Sequence, residues 1–317
     1  MSTEGGTKAI VAALLANTGI AIAKFIAFLI TGASSMLAES VHSVADAGNQ
    51  GLLLLGGKRS RREATREHPF GYGRERYIYA FIVSIVLFSL GGLFALYEGF
   101  HKIELALDGE GELVSPIVAV GVLVIAIVLE SFSLRTAVKE SNHVRGNASW
   151  VQFVRNAKAP ELPVVLLEDI GALVGLVLAL AGVGLAVLTG DPIWDGIGTM
   201  CIGVLLVIIA VILAVETKSL LLGEGATASD EAKIRAAIVA EPTVRGVIHM
   251  RTLYLGPDEM LVAAKLEVAA DESAGSVTAA INAAEERIRA AVPGARVIYL
   301  EPDLRRDAAS VPADGRQ

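Results

Sequence analysis

The stretch MLAESVHSVADAGNQ, Met36 to Gln50, carries two acids, a histidine, an asparagine and a glutamine between long apolar runs. On a helix turning about 100° per residue, with Glu39 at zero, His42 falls at roughly −60°, Ser43 at 40°, Asp46 at −20°, Asn49 at −80° and Gln50 at 20°. Leu37, Val41, Val44 and Leu52 fall largely elsewhere. The stretch therefore reads as a helix with a lipid-compatible side and a polar stripe, and the stripe must face other helices or water. An ionisable group near the bilayer centre costs about 3 kcal/mol on insertion scales, so a histidine and two acids on one face are expensive to keep without a use.

The surrounding chain is that of a polytopic membrane protein. Its 317 residues are 53% hydrophobic with a mean hydropathy of +0.58, and the apolar residues gather in blocks long enough to cross a bilayer. Six spans are expected, Ile10 to Ile30, Met36 to Leu55, Tyr77 to Gly99, Ile117 to Leu134, Val164 to Leu188 and Ile197 to Val215. The first leads straight into the second, unlike a cleavable signal peptide. The connection from Lys58 to Arg76 holds seven Lys or Arg residues and that from Arg135 to Pro160 five, whereas His101 to Pro116 holds one lysine against four acids. By the positive-inside rule both termini are cytoplasmic. Cys201 is the single cysteine, which excludes an internal disulfide or a cysteine zinc cluster. The net charge of −7 leaves no basic footprint for nucleic acid.

After Leu222 the pattern becomes that of a soluble domain. Ser229 or Asp230 is placed to cap a helix with Ile234 and Ile238 on one face. Val247 to Leu255, a turn at Gly256 to Asp258, and Leu261 to Val268 read as a hairpin. Val277, Ile281, Ile288 and Val292 follow at helical spacing, and Val297 to Leu300 reads as a last strand. The expected domains are 1–222 in the membrane, 223–304 as a small cytoplasmic α+β sandwich, and 305–317 as a disordered tail poor in apolar residues.

His42 and Asp46, four residues apart, emerge one turn above each other and can grip one borderline cation such as zinc. The competing reading is a structural polar seam between helices. In the fifth span, PELPVVLLEDIGALVG follows one proline with another, which should disturb the helix start, and then offers Glu168 and Asp169. Adjacent acids lie about 100° apart, so one reaches the ion while the other supports it or carries protons. The alternative for both is snorkelling toward the cytoplasmic interface. Asn17 and Lys24 of the first span are candidates to line the path, with snorkelling or pairing with an acid as the alternatives for Lys24.

These residues resemble the cation diffusion facilitators, a family of proton-coupled divalent-metal exporters. The resemblance covers nearly the whole chain. It is carried by ANTGIAIAKFIAFLITGASSMLAESVHSVADAGNQ, HPFGYGRERY before the third span, LLLGEGA after the sixth, VVLLEDIGALVG and VIYLEPD, and is nearest to the subgroup with the mitochondrial zinc exporter of animals. It implies a homodimer of six-helix protomers, each with a cytoplasmic ferredoxin-like αββαβ domain. It also implies a tetrahedral mid-membrane site with two ligands from the second span and two from the fifth. His42 and Asp46 match the first pair and Asp169 the fourth ligand, but the third falls on Val165. The resemblance then implies His42, Asp46 and Asp169 as ligands, with Glu168, Glu39 or water completing the shell. Asn49 and Gln50 are neighbours of this site or members of a proton path. So oxygen-rich a shell weakens selectivity for Zn2+ against Fe2+, Mn2+, Co2+ and Cd2+. His68 matches a peripheral ligand, but Tyr72 and Thr65 replace its partners, which favours a plain loop histidine. In the C-terminal domain Ile248, Lys265 and Glu301 stand at the family's metal positions, with His249 displaced by one. A lysine there repels a cation, leaving dimerisation as the domain's expected role.

The expected function is export of cytoplasmic zinc in exchange for protons, with no enzymatic chemistry and no cofactor, in the inner (plasma) membrane of a bacterium. Imidazole and carboxylate bind metal only when deprotonated, so ion and proton compete for one site, and His42 is the natural titrating ligand. Two other classes compete. A non-transporting metal-binding adaptor or sensor fits Val165, and an intramembrane acid hydrolase would use Asp46 and Asp169 as a dyad.

Overall fold

The computed structural model describes residues 3–31, 34–109 and 116–305, and within them the side chains of 6–30, 40, 43–109 and 117–305. Each apolar run closes its own backbone hydrogen bonds as a helix, the requirement where water is absent. The helices are α1 (Thr3–Thr31), α2 (Ser34–Arg59), α3 (Glu75–Val86), which continues through a π-helical segment (Leu87–Leu93) into α4 (Phe94–Leu107), α5 (Pro116–Arg145), α6 (Trp150–Asn156), α7 (Glu161–Thr189) and α8 (Ile193–Leu222). Among the described residues, five helices are long and apolar enough to cross a membrane: Gly6–Ile30, Glu75–Leu107, Ile117–Arg145, Glu161–Thr189 and Ile193–Leu222. The protein is therefore an integral, multi-pass membrane protein. The sixth expected span is α2, whose 26 residues have the length but whose polar stripe dilutes its apolar content.

Several helices run beyond the apolar blocks, since a helix need not end where the membrane does. Thus α5 continues past Leu134 to Arg145. The short α6 is not visible in the apolar pattern. It starts at a capping box, in which Ser149 Oγ accepts from the Gln152 amide while the Gln152 side chain accepts from Ser149. The expected disturbance at the start of the fifth span is absent. Pro160 is the N-cap of α7 and Pro163 lies in its first turn, where a missing amide hydrogen costs nothing.

Within the bundle α2 packs on α1 and α3, α5 on α1 and α7, and α7 also on α1 and α3. The largest apolar core draws on Ile10 and Ala13 of α1, Leu53 of α2, Ala80 and Val83 of α3, Ala137 of α5, Leu162 and Val164 to Leu166 of α7, and Leu206, Ile209, Ala210 and Leu213 of α8. All lie toward the end of the bundle where α1 begins. Toward the other end the described core is Ala27 and Val122, with Phe28 and Val118 against them. Helix α8 meets the α3–α4 helix through an antiparallel ladder in which Gly92 faces Val207, Leu96 faces Gly203, Gly99 faces Met200 and Ile103 faces Gly196.

The chain divides into two compact units at Leu221/Leu222. The second contains α9 (Ala228–Val239), β1 (Val244–Gly256), β2 (Glu259–Val268), α10 (Ala274–Ala291) and β3 (Ala295–Asp303), the expected αββαβ order. Thr227, rather than Ser229 or Asp230, caps α9, its hydroxyl accepting from the Asp230 amide. The sheet order is β1-β2-β3, with β1 antiparallel to β2 and β3 parallel to it through the α10 crossover. Strand alternation puts Met260, Val262, Ala264 and Leu266 inward, against Ile234 and Ile238 of α9 and Ile288 of α10. The expected tail lies outside the described residues apart from Arg305, whose guanidinium donates to Glu267.

Candidate metal centre

The described part of the α2 stripe, Ser40, Ser43, Asn49 and Gln50 with half-buried Asp46, turns into the bundle, as the cost of polar groups in lipid requires. Ser40 Oγ donates to the Ala21 carbonyl at 3.0 Å and Asn17 Nδ2 to Gln50 Oε1 at 3.3 Å, so α1 satisfies part of it. The rest meets α7. Asn49, 1% exposed, donates from Nδ2 to Glu168 Oε1 at 3.0 Å, and Gln50, 0% exposed, donates from Nε2 to Glu168 Oε2 at 2.9 Å. Both oxygens of Glu168 thus receive an amide hydrogen from consecutive residues of one helix. This position is buried and does not snorkel.

The 100° between adjacent residues sends Asp169 elsewhere. It is 1% exposed, accepts at Oδ2 from Ser133 Oγ of α5 at 2.7 Å, and stands next to the Glu130 carboxyl, also of α5. Asp46 is half-buried and close enough to Glu168 and Glu130 for the charges to interact. The side chains of Glu39 and His42 lie outside the described residues. Among those described, no three His, Cys, Asp or Glu side chains converge closely enough to hold an ion. The reason is visible in the hydrogen bonding, since Glu168 is engaged by α2 amides and Asp169 by α5. Val165 is 0% exposed within the apolar core beside Val164 and Leu166. Lys24 is buried on α1.

Glu130 was missed in the sequence. Its signal was available: it is the single charged residue of the run Ile117 to Leu134, three residues before Ser133 and so on the same face.

The peripheral position forms an exposed turn. The His68 amide donates to Thr65 Oγ1 at 3.1 Å, the Thr65 and Tyr72 hydroxyls lie 3.4 Å apart, and the His68 ring packs edge-on to Tyr72, with Arg62 over the tyrosine face. In the second unit, sheet register sets Lys265 opposite His249 on one side and Glu301 on the other. Its ammonium lies 3.0 Å from Asp303 and 3.1 Å from Glu301. The Asp303 and Glu301 carboxylates hold Lys265 above the usual lysine value. Ile248 is partly exposed on β1.

A multi-pass helical bundle with buried carboxylates and amides between its second and fifth long helices defines a membrane protein that keeps charge inside the bilayer. The cation efflux transmembrane domain matches residues 10–222, and the chain belongs to the cation efflux family. It is 30% identical over 258 residues to the mitochondrial proton-coupled zinc antiporter of Homo sapiens, covering 80% of this chain and 44% of that protein. It is 26% identical over 269 residues to metal tolerance protein C4 of Arabidopsis thaliana, covering 84% and 58%. The chain thus spans about half the length of these curated relatives. Among solved structures, a nickel form of a variant of the MamM C-terminal domain aligns with 25% of this chain and 100% of its own at 19% identity, with a TM-score of 0.24.

Proposed function

We propose that this protein exports a divalent metal ion, zinc before iron, manganese, cobalt or cadmium, from the cytoplasm in exchange for protons. The observation that carries the reading is the meeting of α2 and α7, where Asn49 and Gln50 hold the buried carboxylate of Glu168. Asp46, Asp169 and His42 are the proposed ion ligands. Glu168 completes the shell by exchanging an amide donor for the ion, while Glu39, Asn49, Gln50 and Asn17 support the site or pass protons. A relative 30% identical is a proton-coupled zinc antiporter, which supports the same exchange here. Carboxylates and imidazole must lose protons to take the ion, so the two cargoes exclude each other, and rocking of the helices would expose the site to each side in turn. Both termini are assigned to the cytoplasm of a bacterial cell, and the unit 223–304 to homodimer formation.

The test is flux of zinc, iron, manganese, cobalt and cadmium into proteoliposomes holding the purified protein, with and without a pH gradient, for wild type, Asp46→Asn and Asp169→Asn. Gradient-stimulated flux, reduced at least about 100-fold in both variants, is expected, as each removes a charged ligand. Metal binding without flux of any ion would favour instead an adaptor or sensor, the reading to which Val165, buried in the apolar core where the family has a ligand, lends weight.

A further inference from the structure

Glu130 of α5 is 1% exposed inside the bundle, where a carboxylate is retained only against a cost of several kcal/mol. It stands next to Asp169, but Glu130 Oε2 has no hydrogen-bond partner among the described residues. The same is true of Asn49 Oδ1, whose own amide nitrogen holds Glu168. Two buried oxygen acceptors, one on α5 and one on α2, therefore stand unused, the first beside Asp169 and the second on the amide that holds Glu168. Around them the charges of Asp169, Glu168 and Asp46 all act on Glu130. An unused acceptor beside carboxylates can take a cation or a hydrogen-bond donor but not an anion, and since no three of the described acids converge on one point, an ion bound here would have to draw them together. On α7, meanwhile, Val165 lies in the apolar core and offers no donor atom.

We propose that Glu130 is a ligand of the transported divalent ion, reached through its free Oε2, and supplies from α5 the coordination that Val165 cannot supply from α7. This assignment rests on the transport reading above. The site then draws on α2, α5 and α7 and is richer in carboxylate oxygen than in imidazole. That composition widens the accepted ions toward manganese and iron.

The test uses the full-length purified protein with cobalt(II) as probe, because the d–d absorption of bound cobalt responds to its ligands. Wild type, E130Q, E130D, the double variant E130Q with V165D, and D46N are titrated in detergent and then reconstituted for cobalt and zinc flux. The expected result is a shifted cobalt band in E130Q, with affinity lowered at least about 10-fold. E130D should restore most of the affinity, and the double variant should regain part of the binding that E130Q loses. An E130Q protein that keeps the wild-type band overturns the assignment, even with weakened affinity, since Glu130 would then act only by positioning Asp169. If E130Q does not elute as a monodisperse species, E130D decides the matter. A displaced but retained band supports ligation, and an unmoved band refutes it. D46N separates the two levels of the argument. Loss of binding in D46N beside an unaffected E130Q sinks the role of Glu130 alone, whereas a wild type that neither binds nor carries cobalt or zinc removes the transport reading and this assignment together.

Discussion

Arg76 and Glu161 join the start of α3 to the start of α7, both buried, through Nε to Oε1 and through Nη2 to Oε2 at 2.8 Å. Arg76 looks from the sequence like one more basic residue of a positive-inside loop. Buried, it is a bidentate pair in which removing one partner strands the other charge. Arg76→Met is expected to lower stability by about 3–5 kcal/mol, and Arg76→Met with Glu161→Leu to recover most of it. Thermal unfolding in detergent checks this, and a single variant melting with wild type would show the pair to be inert. The same scale separates Glu168 from Asp169. Their adjacency was legible, but which acid α2 would hold depended on where Asn49, Gln50 and Ser133 came to rest.

Between elements, the ladder joining α8 to the α3–α4 helix repeats every seven residues on both sides, Gly92 and Gly99 against Gly196 and Gly203. A seven-residue spacing keeps small residues on one seam between helices crossing at a shallow angle. Close backbone approach leaves no room there, because a Cβ on Gly203 would lie 2.7 Å from the Leu96 amide nitrogen. Gly203→Leu is therefore expected to lower the thermal midpoint and abolish flux, whereas Gly121→Leu, which meets nothing within 4 Å, stays within about 0.5 kcal/mol of wild type. Equal melting of the two proteins would contradict the ladder. The seven-residue spacing of these glycines is legible in the sequence, but which helix the seam meets is not.

Across the whole bundle, the apolar core sits toward the end where α1 begins, and the Arg76–Glu161 pair adds a polar tie between α3 and α7 at that end. The polar groups of α2 and α7 are thus shut off from that side by Leu53, Val83, Leu162 and their neighbours. With Cys201 replaced by serine, a cysteine at Leu53 is expected to resist a membrane-impermeant maleimide at rest and to react at least about 10-fold faster when a metal and pH gradient drive turnover, as a rocking bundle opens that end. Equal labelling in both conditions would count against alternation at this end.

The helical spans, the polar face of α2 and the αββαβ order of the second unit were determined by the sequence itself. Each follows from local periodicity, 3.6 residues for a helix and two for a strand, together with the insolubility of charge in lipid. What only the tertiary structure decided was pairing: Glu168 with α2, Asp169 with Glu130 and Ser133, Arg76 with Glu161, and Lys265 with Asp303 and Glu301. Those partners stand 36 to 119 residues apart along the chain. Periodicity places a side chain on a face, but only the packing of helix on helix and strand on strand selects what that face meets.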